Sequence, residues 1–195
     1  MHHPLESVSA VYRKRLFFLF LFLTMLLFAV FRVLDEPLRT PFPLASNGIV
    51  SFELAFRPIK AFQIMVAWSN PQSYILPPVP SVYETSPQLM YAAFGLGLDY
   101  LFMPSYAFAL AFGTLLAAGR HSGWLKSLSA VAGYGAFAAA LFDAVENFAL
   151  FRVLLGSVYS PYSEIAAICA TIKFALLIFG LIYAFAAWLL PRKSI

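Results

Sequence analysis

The stretch "LFFLFLFLTMLLFAVFRVL", residues Leu16–Leu34, decides the kind of fold that this chain adopts. Arg32 is its only charged residue, and leucine and phenylalanine make up most of the rest. A helix of about 20 apolar residues is long enough to cross a hydrocarbon core of about 30 Å. Because hydrocarbon offers no partner to backbone polar groups, such a run crosses a membrane as a helix. The stretch therefore predicts a transmembrane helix.

The composition of the whole chain indicates the same environment. Hydrophobic residues make up 62% and charged residues 11% of the sequence, and the mean hydropathy is +0.80. A soluble domain has a smaller apolar share and a larger charged share. The net charge of +4 does not indicate nucleic-acid binding, because the lysines and arginines are few and flank apolar segments. We predict an integral membrane protein with the lipid bilayer as a partner and no nucleic acid.

Residue types that bind metals or carry redox chemistry are scarce. The single cysteine, Cys169, cannot form an intrachain disulfide. The three histidines, His2, His3 and His121, all lie outside the apolar segments. Haem ligation by histidine and the Glu-x-x-His di-iron pattern are therefore excluded from the apolar helices. We expect no metal and no cofactor.

Four segments are long and apolar enough to span a bilayer, and they lie near Leu16–Leu34, Pro87–Ala118, Leu125–Gly156 and Pro161–Leu190. We expect the first to be a retained helix rather than a secretory signal, since its apolar run is long and no small-x-small cleavage site follows closely. Basic residues flank the ends that should face the cytoplasm, namely Arg13, Lys14, Arg15, Arg120, Lys126, Arg192 and Lys193. The sequence thus predicts an all-α fold, a single membrane domain over residues 1–195. We expect this domain to be a four-helix transmembrane bundle in the inner (plasma) membrane, with both termini cytoplasmic.

The connection between the first two spans should lie on the outer side, and part of it is helical. Residues 49–69 predict an amphipathic helical segment, with Pro58 suited to the first turn of a helix. Its polar side would consist of Glu53, Arg57 and Lys60. A helix resting on the membrane surface, or lying over the mouth of the bundle, fits this pattern. The proline-rich stretch that follows should be extended until Ser86 caps and Pro87 opens the second span.

The segment "FDAVEN" in the third span carries polar residues on the side of the helix that also carries small residues. At 100° per residue, one stripe collects Ala132, Gly133, Ala136, Ala139, Ala140, Asp143 and Asn147, with Glu146 at its edge. The opposite stripe is bulky and ends in Arg152. Small residues let helices approach closely in a bilayer, so the acids should face neighbouring helices. Lys173 in the fourth span lies on a similar stripe of small residues.

The second span adds an acid and a tyrosine on one face. That face consists of Ala92, Gly95, Asp99, Met103 and Tyr106. Pro104 removes the hydrogen bond that the carbonyl of Tyr100 would otherwise accept, and a broken helix beside an acid can expose carbonyls to a bound ion. Tyr106 would lie about two turns towards the cytoplasm from Asp99.

Three of these charged residues should share one depth. Asp99, Asp143 and Lys173 each lie roughly 12 or 13 residues from the outer end of their span, about 18–20 Å at 1.5 Å per residue. Glu146 and Asn147 would lie about one turn nearer the outside. We therefore expect one buried polar site near the middle of the membrane.

The charges of this site do not balance. Inserting an acid or a lysine at the membrane centre costs about 2.5–3.5 kcal/mol, so Asp99, Asp143, Glu146 and Lys173 together cost on the order of 10 kcal/mol before they pair. Fully ionised, they would carry three negative charges and one positive. Desolvation and like-charge repulsion should keep a proton on at least one carboxyl, unless a cation enters instead.

The order "GIVSFELA", then a helix ending at Trp68, then "LDYLF" and "FDAVEN", resembles an uncharacterised bacterial family of four-helix integral membrane proteins. The resemblance covers most of the chain from Gly48 to Arg152, and "FDAVEN" is its most specific part. It implies a four-span architecture and a role for five polar residues, which are Glu53, Asp99, Asp143, Glu146 and Asn147. It implies no particular activity.

Three functions remain open from the sequence. The first is a site that binds or moves a proton, a cation or a small polar ligand, with Asp143 and Asp99 exchanging charge. Glu146 would be an outward relay, Asn147 a hydrogen-bonding guide and Lys173 the counter-ion. The second is an accessory or assembly subunit of a larger membrane complex, whose charged cluster only holds its own fold. The third is an enzyme acting on a lipid or isoprenoid, although no nucleophile with its base is recognisable.

Overall fold

The computed structural model describes residues 3–40, 45–69, 86–119, 121, 123–157 and 161–190. These residues form helices and no strand, which confirms the predicted all-α class. The helices are α1 (Ala10–Asp35), α2 (Ile49–Glu53), α3 (Pro58–Ser69), α4 (Pro87–Ala118), α5 (Trp124–Leu154) and α6 (Tyr162–Leu189). Single 3-10 turns cover Pro4–Ser7 and Glu36–Leu38. Most of the proline-rich stretch, residues 70–85, lies outside the described residues, as do Arg120, Arg192 and Lys193.

Four of the helices, α1, α4, α5 and α6, are long and apolar enough to cross a membrane. Helices α4, α5 and α6 each begin and end within two residues of the predicted span, and both ends of α4 are the predicted ones. Ser86 caps α4 as expected, since its Oγ accepts a hydrogen bond from the Leu89 N–H at 3.2 Å. By contrast, α1 begins six residues before Leu16, at Ala10. The charged residues Arg13 to Arg15 are compatible with helix, so the apolar run alone did not mark the helix start.

The contacts between residues divide the chain into two compact units. Unit 1 consists of Met1–Leu27, Leu101–Asp143 and Ile172–Ile195, and unit 2 of Phe28–Tyr100 and Ala144–Thr171. Aromatic packing joins α1, α4 and α5 in unit 1, where the ring centroid of Phe108 lies 4.8 Å from that of Phe20 and 5.1 Å from that of Phe137. Gly180 of α6 lies against Leu110 of α4. A side chain at this glycine would overlap Leu110, so this pair of helices depends on a small residue.

The chain before α1 also packs in unit 1. His3 is 3% exposed, and its ring centroid lies 4.5 Å from that of Tyr134 on α5. Its Nδ1 accepts a hydrogen bond from the Leu5 N–H at 3.2 Å, which leaves the proton of a neutral imidazole on Nε2. Burial lowers the pKa of His3, and nearby Glu6 raises it by a smaller amount.

Unit 2 has its own hydrophobic core, built by α2 and α3 with parts of α4, α5 and α6. The buried members are Leu38, Ala45, Phe52, Ala55, Ala61, Ile64, Met65, Trp68, Ala92, Leu96, Ala149, Leu150, Val153 and Ala166. Helix α3 starts at Pro58, as the sequence predicted. The predicted polar side is wrong at one position, because Glu53 is only 8% exposed and follows Phe52 into the interior.

Hydrogen bonds to the Asp35 carboxylate at the end of α1 and to the Leu38 carbonyl in the following turn hold α2 and α3 in place. Asp35 accepts from the Ile49 N–H through Oδ1 and from Arg39 Nε through Oδ2, both at 2.8 Å. Gly48, with a φ of 59°, lies directly against this carboxylate. The indole N–H of Trp68 donates to the carbonyl of Leu38 at 2.8 Å. The helical segment is thus attached to the end of α1.

The two faces of α5 are arranged as predicted. Buried residues on its inner face include Ala132, Ala136, Ala139, Asp143, Glu146 and Asn147, each 2% exposed or less. The opposite stripe is exposed, with Leu141 at 71% and Phe148 at 56%. The prediction of a break at Pro104 is wrong, because α4 continues through this residue.

Candidate functional site

In unit 1, residues from three helices form a buried group that we call the triad: Tyr106 of α4, Asp143 of α5 and Lys173 of α6. The Lys173 ammonium donates to Asp143 Oδ1 at 2.9 Å, and the Tyr106 hydroxyl donates to Asp143 Oδ2 at 2.8 Å. Asp143, Lys173 and Tyr106 are 2%, 5% and 7% exposed. Charge-assisted hydrogen bonds of this length are stronger than neutral ones.

The triad depends on small residues beside it. Ala139 on α5 and Ala170 on α6, each about one turn from the charged residue of its helix, are fully buried. Alanines at these positions let helices approach closely enough for side chains to meet across them. The ammonium of Lys173 also lies 4.7 Å from the centroid of the adjacent Phe174 ring, so a π face adds to its stabilisation.

Each oxygen of Asp143 has a donor, and the charge of the carboxylate is matched by that of Lys173. This geometry supports a carboxylate that stays ionised beside an ammonium, or the same pair after one proton has moved from nitrogen to oxygen. It leaves little room for a metal ion on Asp143, because an ion would have to displace the ammonium or the hydroxyl.

In unit 2, Asn147 and Asp99 form a second buried group. The Asn147 amide donates through Nδ2 to Asp99 Oδ2 at 2.8 Å and to the carbonyl of Leu96 at 3.2 Å. Asn147 is fully buried and Asp99 is partly buried. The amide therefore joins α5 to one turn of α4 through a side-chain and a backbone acceptor.

The other two predicted carboxyls of unit 2 are also buried. Glu146, next to Asn147, has no exposed surface, and Glu53 is 8% exposed at the end of α2. Among the described buried residues of the whole chain, Glu53, Asp143 and Glu146 are acids, whereas Lys173 is a lysine and His3 a histidine. Of the four charged residues predicted to share a site, Asp143, Glu146 and Lys173 are buried and Asp99 is partly buried.

The structure brings five of the seven predicted site residues into two bonded groups: Tyr106 with Asp143 and Lys173, and Asp99 with Asn147. Glu146 and Glu53 are buried in unit 2. That Asp99, Asp143 and Lys173 share one depth near the middle of the membrane stays a prediction.

Sequence reasoning missed three polar groups of unit 2. The carbonyl of Leu96 accepts from Asn147, and the hydroxyls of Thr40 and Ser163 are buried, with exposures of 9% and 2%. Nothing in the sequence marks a leucine whose backbone carbonyl will accept a side-chain hydrogen bond. Ser163 stands in the first turn of α6, where serine is common for local reasons, so nothing in its position indicated a buried hydroxyl.

Comparison with known proteins adds no relative: no protein-family model, no curated protein and no solved structure matches this chain. The likeness of "FDAVEN" and its neighbouring motifs to a bacterial four-helix family therefore stays a prediction.

Proposed function

We propose that this chain is an integral protein of the inner membrane, with both termini cytoplasmic, and that it binds and exchanges a proton at the triad. In this proposal the four long helices form a bundle and the segment of α2 and α3 lies on the outer side. The observation that supports it most is a carboxylate 2.9 Å from an ammonium, both almost completely buried on helices apolar enough to span a bilayer. Ionisable residues inside a membrane are rare and usually functional.

The proton step is short and balanced. The N–H bond of Lys173 that points at Oδ1 breaks, the electron pair stays on nitrogen, and an O–H bond forms on Asp143. The ion pair becomes a neutral acid and a neutral amine. Both forms have the same net charge, and burial disfavours the charged one. The neutral amine can then take a proton from one side while the acid releases one to the other.

Tyr106 can serve both forms of the carboxyl group. Its hydroxyl donates to Oδ2 of the ionised Asp143 at 2.8 Å, and it can continue to do so after a proton has bound to Oδ1, because Oδ2 is then the carbonyl oxygen of the neutral acid. It is therefore a positioning residue that keeps Oδ2 bonded through the exchange.

A proton fits this group better than a larger species. Donors at 2.8 and 2.9 Å occupy both oxygens of Asp143, so a metal cation or an organic ligand would first have to separate existing pairs. A proton moves along a hydrogen bond that already exists.

Proton flux into liposomes that contain the purified protein and a pH-sensitive dye tests the proposal. A potassium diffusion potential set with valinomycin should drive acidification by the wild type. The double variant Asp143→Asn/Lys173→Met, which leaves no unpaired charge, should give the flux of empty liposomes. Glu36→Gln removes an acid that is exposed in the turn after α1 and should keep the wild-type flux. An undiminished flux from the double variant would refute proton exchange at the triad.

The exposure of α1 favours a second function, an accessory or assembly subunit. Only 6% of the residues in its most apolar stretch are buried. Phe18 and Phe22 are 54% and 64% exposed. Lipid can cover this surface, and so can a helix of another membrane protein. A photo-crosslinker at Phe22 in native membranes should yield one stoichiometric protein adduct if the second function holds, and lipid adducts alone if it does not.

A further inference from the structure

The chain just before α1, residues 3–9, is attached to α5 through His3. His3 is 3% exposed, and its ring centroid lies 4.5 Å from that of Tyr134 and 6.0 Å from that of Phe137. Gly133 completes the contact, because a β-carbon on this glycine would lie 3.0 Å from Cδ2 and 3.2 Å from Nε2 of the imidazole. The ring therefore occupies a surface of α5 that a residue with a side chain would fill.

The hydrogen bonds of His3 require a neutral imidazole. Its Nδ1 accepts from the Leu5 N–H at 3.2 Å, and its backbone N–H donates to Glu6 Oε1 at 3.4 Å, so the two side chains cap the turn Pro4–Ser7 together. An imidazolium carries a proton on Nδ1 and has no acceptor left. Protonation would therefore point two N–H donors at each other and break half of the cap.

The second ring nitrogen is also unsuited to a charged imidazole. Nε2 is buried and has no hydrogen-bond partner among the described residues. The aromatic rings beside it attract a cation through their faces, but they supply no acceptor for its N–H. An imidazolium seated here would thus be a largely buried charge, which is costly unless the charge is paired and hydrogen-bonded.

The titratable groups near His3 are Glu6 from its own turn and Tyr134 from α5. The nearest charged residues along α5 are Lys126 and Asp143, seven and ten residues from the glycine in contact with the ring. At 1.5 Å per residue these positions are about 10 and 15 Å away along the helix. Glu6 is therefore the carboxylate that opposes the cost of burying a charged His3.

Burial outweighs this carboxylate and lowers the pKa of His3 from 6.5. The seated ring then binds a proton less readily than a released one. Seating is at full strength above about pH 6.5, and it weakens as the pH falls below that value, by up to about tenfold per pH unit.

We propose that residues 3–9 form a pH-sensitive latch on α5. Protonation of His3 releases the latch, which the neutral ring otherwise holds on Gly133, Tyr134 and Phe137. Release uncovers this surface of α5. The latch shares no residue with the triad, so it stands whether or not Asp143 exchanges a proton.

The mobility of a nitroxide spin label on residue 7 measures release in the purified full chain in detergent micelles. Ser7 is exposed, and Ser7→Cys in a Cys169→Ala background leaves a single thiol to label. The electron paramagnetic resonance spectrum should show an immobilised label at pH 8. The ratio of mobile to immobilised label should rise as the pH falls to 5, by up to about tenfold per pH unit below 6.5.

Two pairs of variants in this labelled protein separate the latch from general effects. His3→Phe keeps an aromatic ring and cannot titrate, so its spectrum should be the same at pH 8 and pH 5, whereas His121→Gln should keep the wild-type response. Gly133→Val places methyl groups where the His3 ring lies and should mobilise the label already at pH 8. Gly135→Val is its matched control, because the nearest atom to a β-carbon there is 3.8 Å away, on Leu176.

The latch would be refuted by a wild-type spectrum that does not change with pH, or by a pH response that survives in His3→Phe. A response lost in His121→Gln would assign the titration to the wrong histidine. Equal label mobility in Gly133→Val and Gly135→Val at pH 8 would show that the ring does not rest on α5. Far-UV circular dichroism is recorded over the same pH range, and a parallel loss of helix would also refute the latch, because release would then be part of unfolding.

Discussion

Replacing Lys173 by methionine should strongly destabilise the protein. The substitution keeps the length and apolar character of the side chain but leaves Asp143, which is 2% exposed, without the ammonium that lies 2.9 Å from it. Removing one partner of a buried ion pair typically costs about 3–5 kcal/mol, because the remaining charge stays buried and uncompensated. The Tyr106 hydroxyl still donates to that carboxylate, which places the expected loss near the lower value.

The second change, Asp143→Asn, should restore most of the loss. With both charges absent no buried charge remains, and replacing a buried pair by neutral residues is often close to neutral for stability. We expect the double variant within about 1 kcal/mol of the wild type, so the two positions should be coupled by at least about 2 kcal/mol.

Unfolding of the purified protein by SDS in mixed micelles, followed by far-UV circular dichroism, measures these free energies. All four proteins of the cycle are compared, with Lys126→Met as a control because Lys126 is an exposed lysine of α5. The control should unfold at nearly the wild-type SDS fraction. If the effects of Lys173→Met and Asp143→Asn simply add in the double variant, the two groups do not stabilise one another and the triad is not an ion pair in the folded protein.

Three further results should be observed. Tyr106→Phe should lower the free energy of unfolding by about 1.5–3 kcal/mol in the same assay, since it removes a buried hydrogen bond to a charged acceptor. An unchanged free energy of unfolding would show that the hydroxyl does not bond Asp143. Gly48→Ala should lower the free energy of unfolding by about 2–4 kcal/mol, because the new methyl group overlaps the Asp35 carboxylate. Gly123→Ala is the control: its φ is 69° but nothing lies near it, so it should lower that free energy by only about 1–2 kcal/mol. Because burial lowers the pKa of His3 from 6.5, the unfolded chain binds the proton more readily, so stability should fall as the pH drops below about 6.5, and His3→Gln should flatten that part of the curve.

The sequence predicted the long helices and their buried faces well because those features follow from local patterns. A run of apolar residues sets the position of a span, and the 3.6-residue period places small residues and acids on one stripe. For that reason Asp143, Glu146 and Asn147 were expected inside, and each is 2% exposed or less. Helix ends were less certain where polar residues continue a helix, as Arg13 to Arg15 do in α1.

Pairing between distant residues could not be read in the same way. Which acid meets Lys173 depends on the rotation and rise of three helices, and a shift of one residue in one helix changes the partner. Asp99 and Asp143 were both expected at the depth of Lys173, and the structure bonds Lys173 to Asp143. Glu53 was placed on a polar surface because its neighbours Arg57 and Lys60 are charged, but α2 is short and turns that side chain towards the core.

The two buried groups differ in one physical respect that separates their chemistry. The triad contains its own base, so its charges cancel without any bound species, and a proton can shift inside it at constant net charge. An amide neither gains nor loses a proton near neutral pH, so the hydrogen bonds of Asn147 to Asp99 and to the Leu96 carbonyl hold α5 against α4 without offering the proton exchange proposed for the triad.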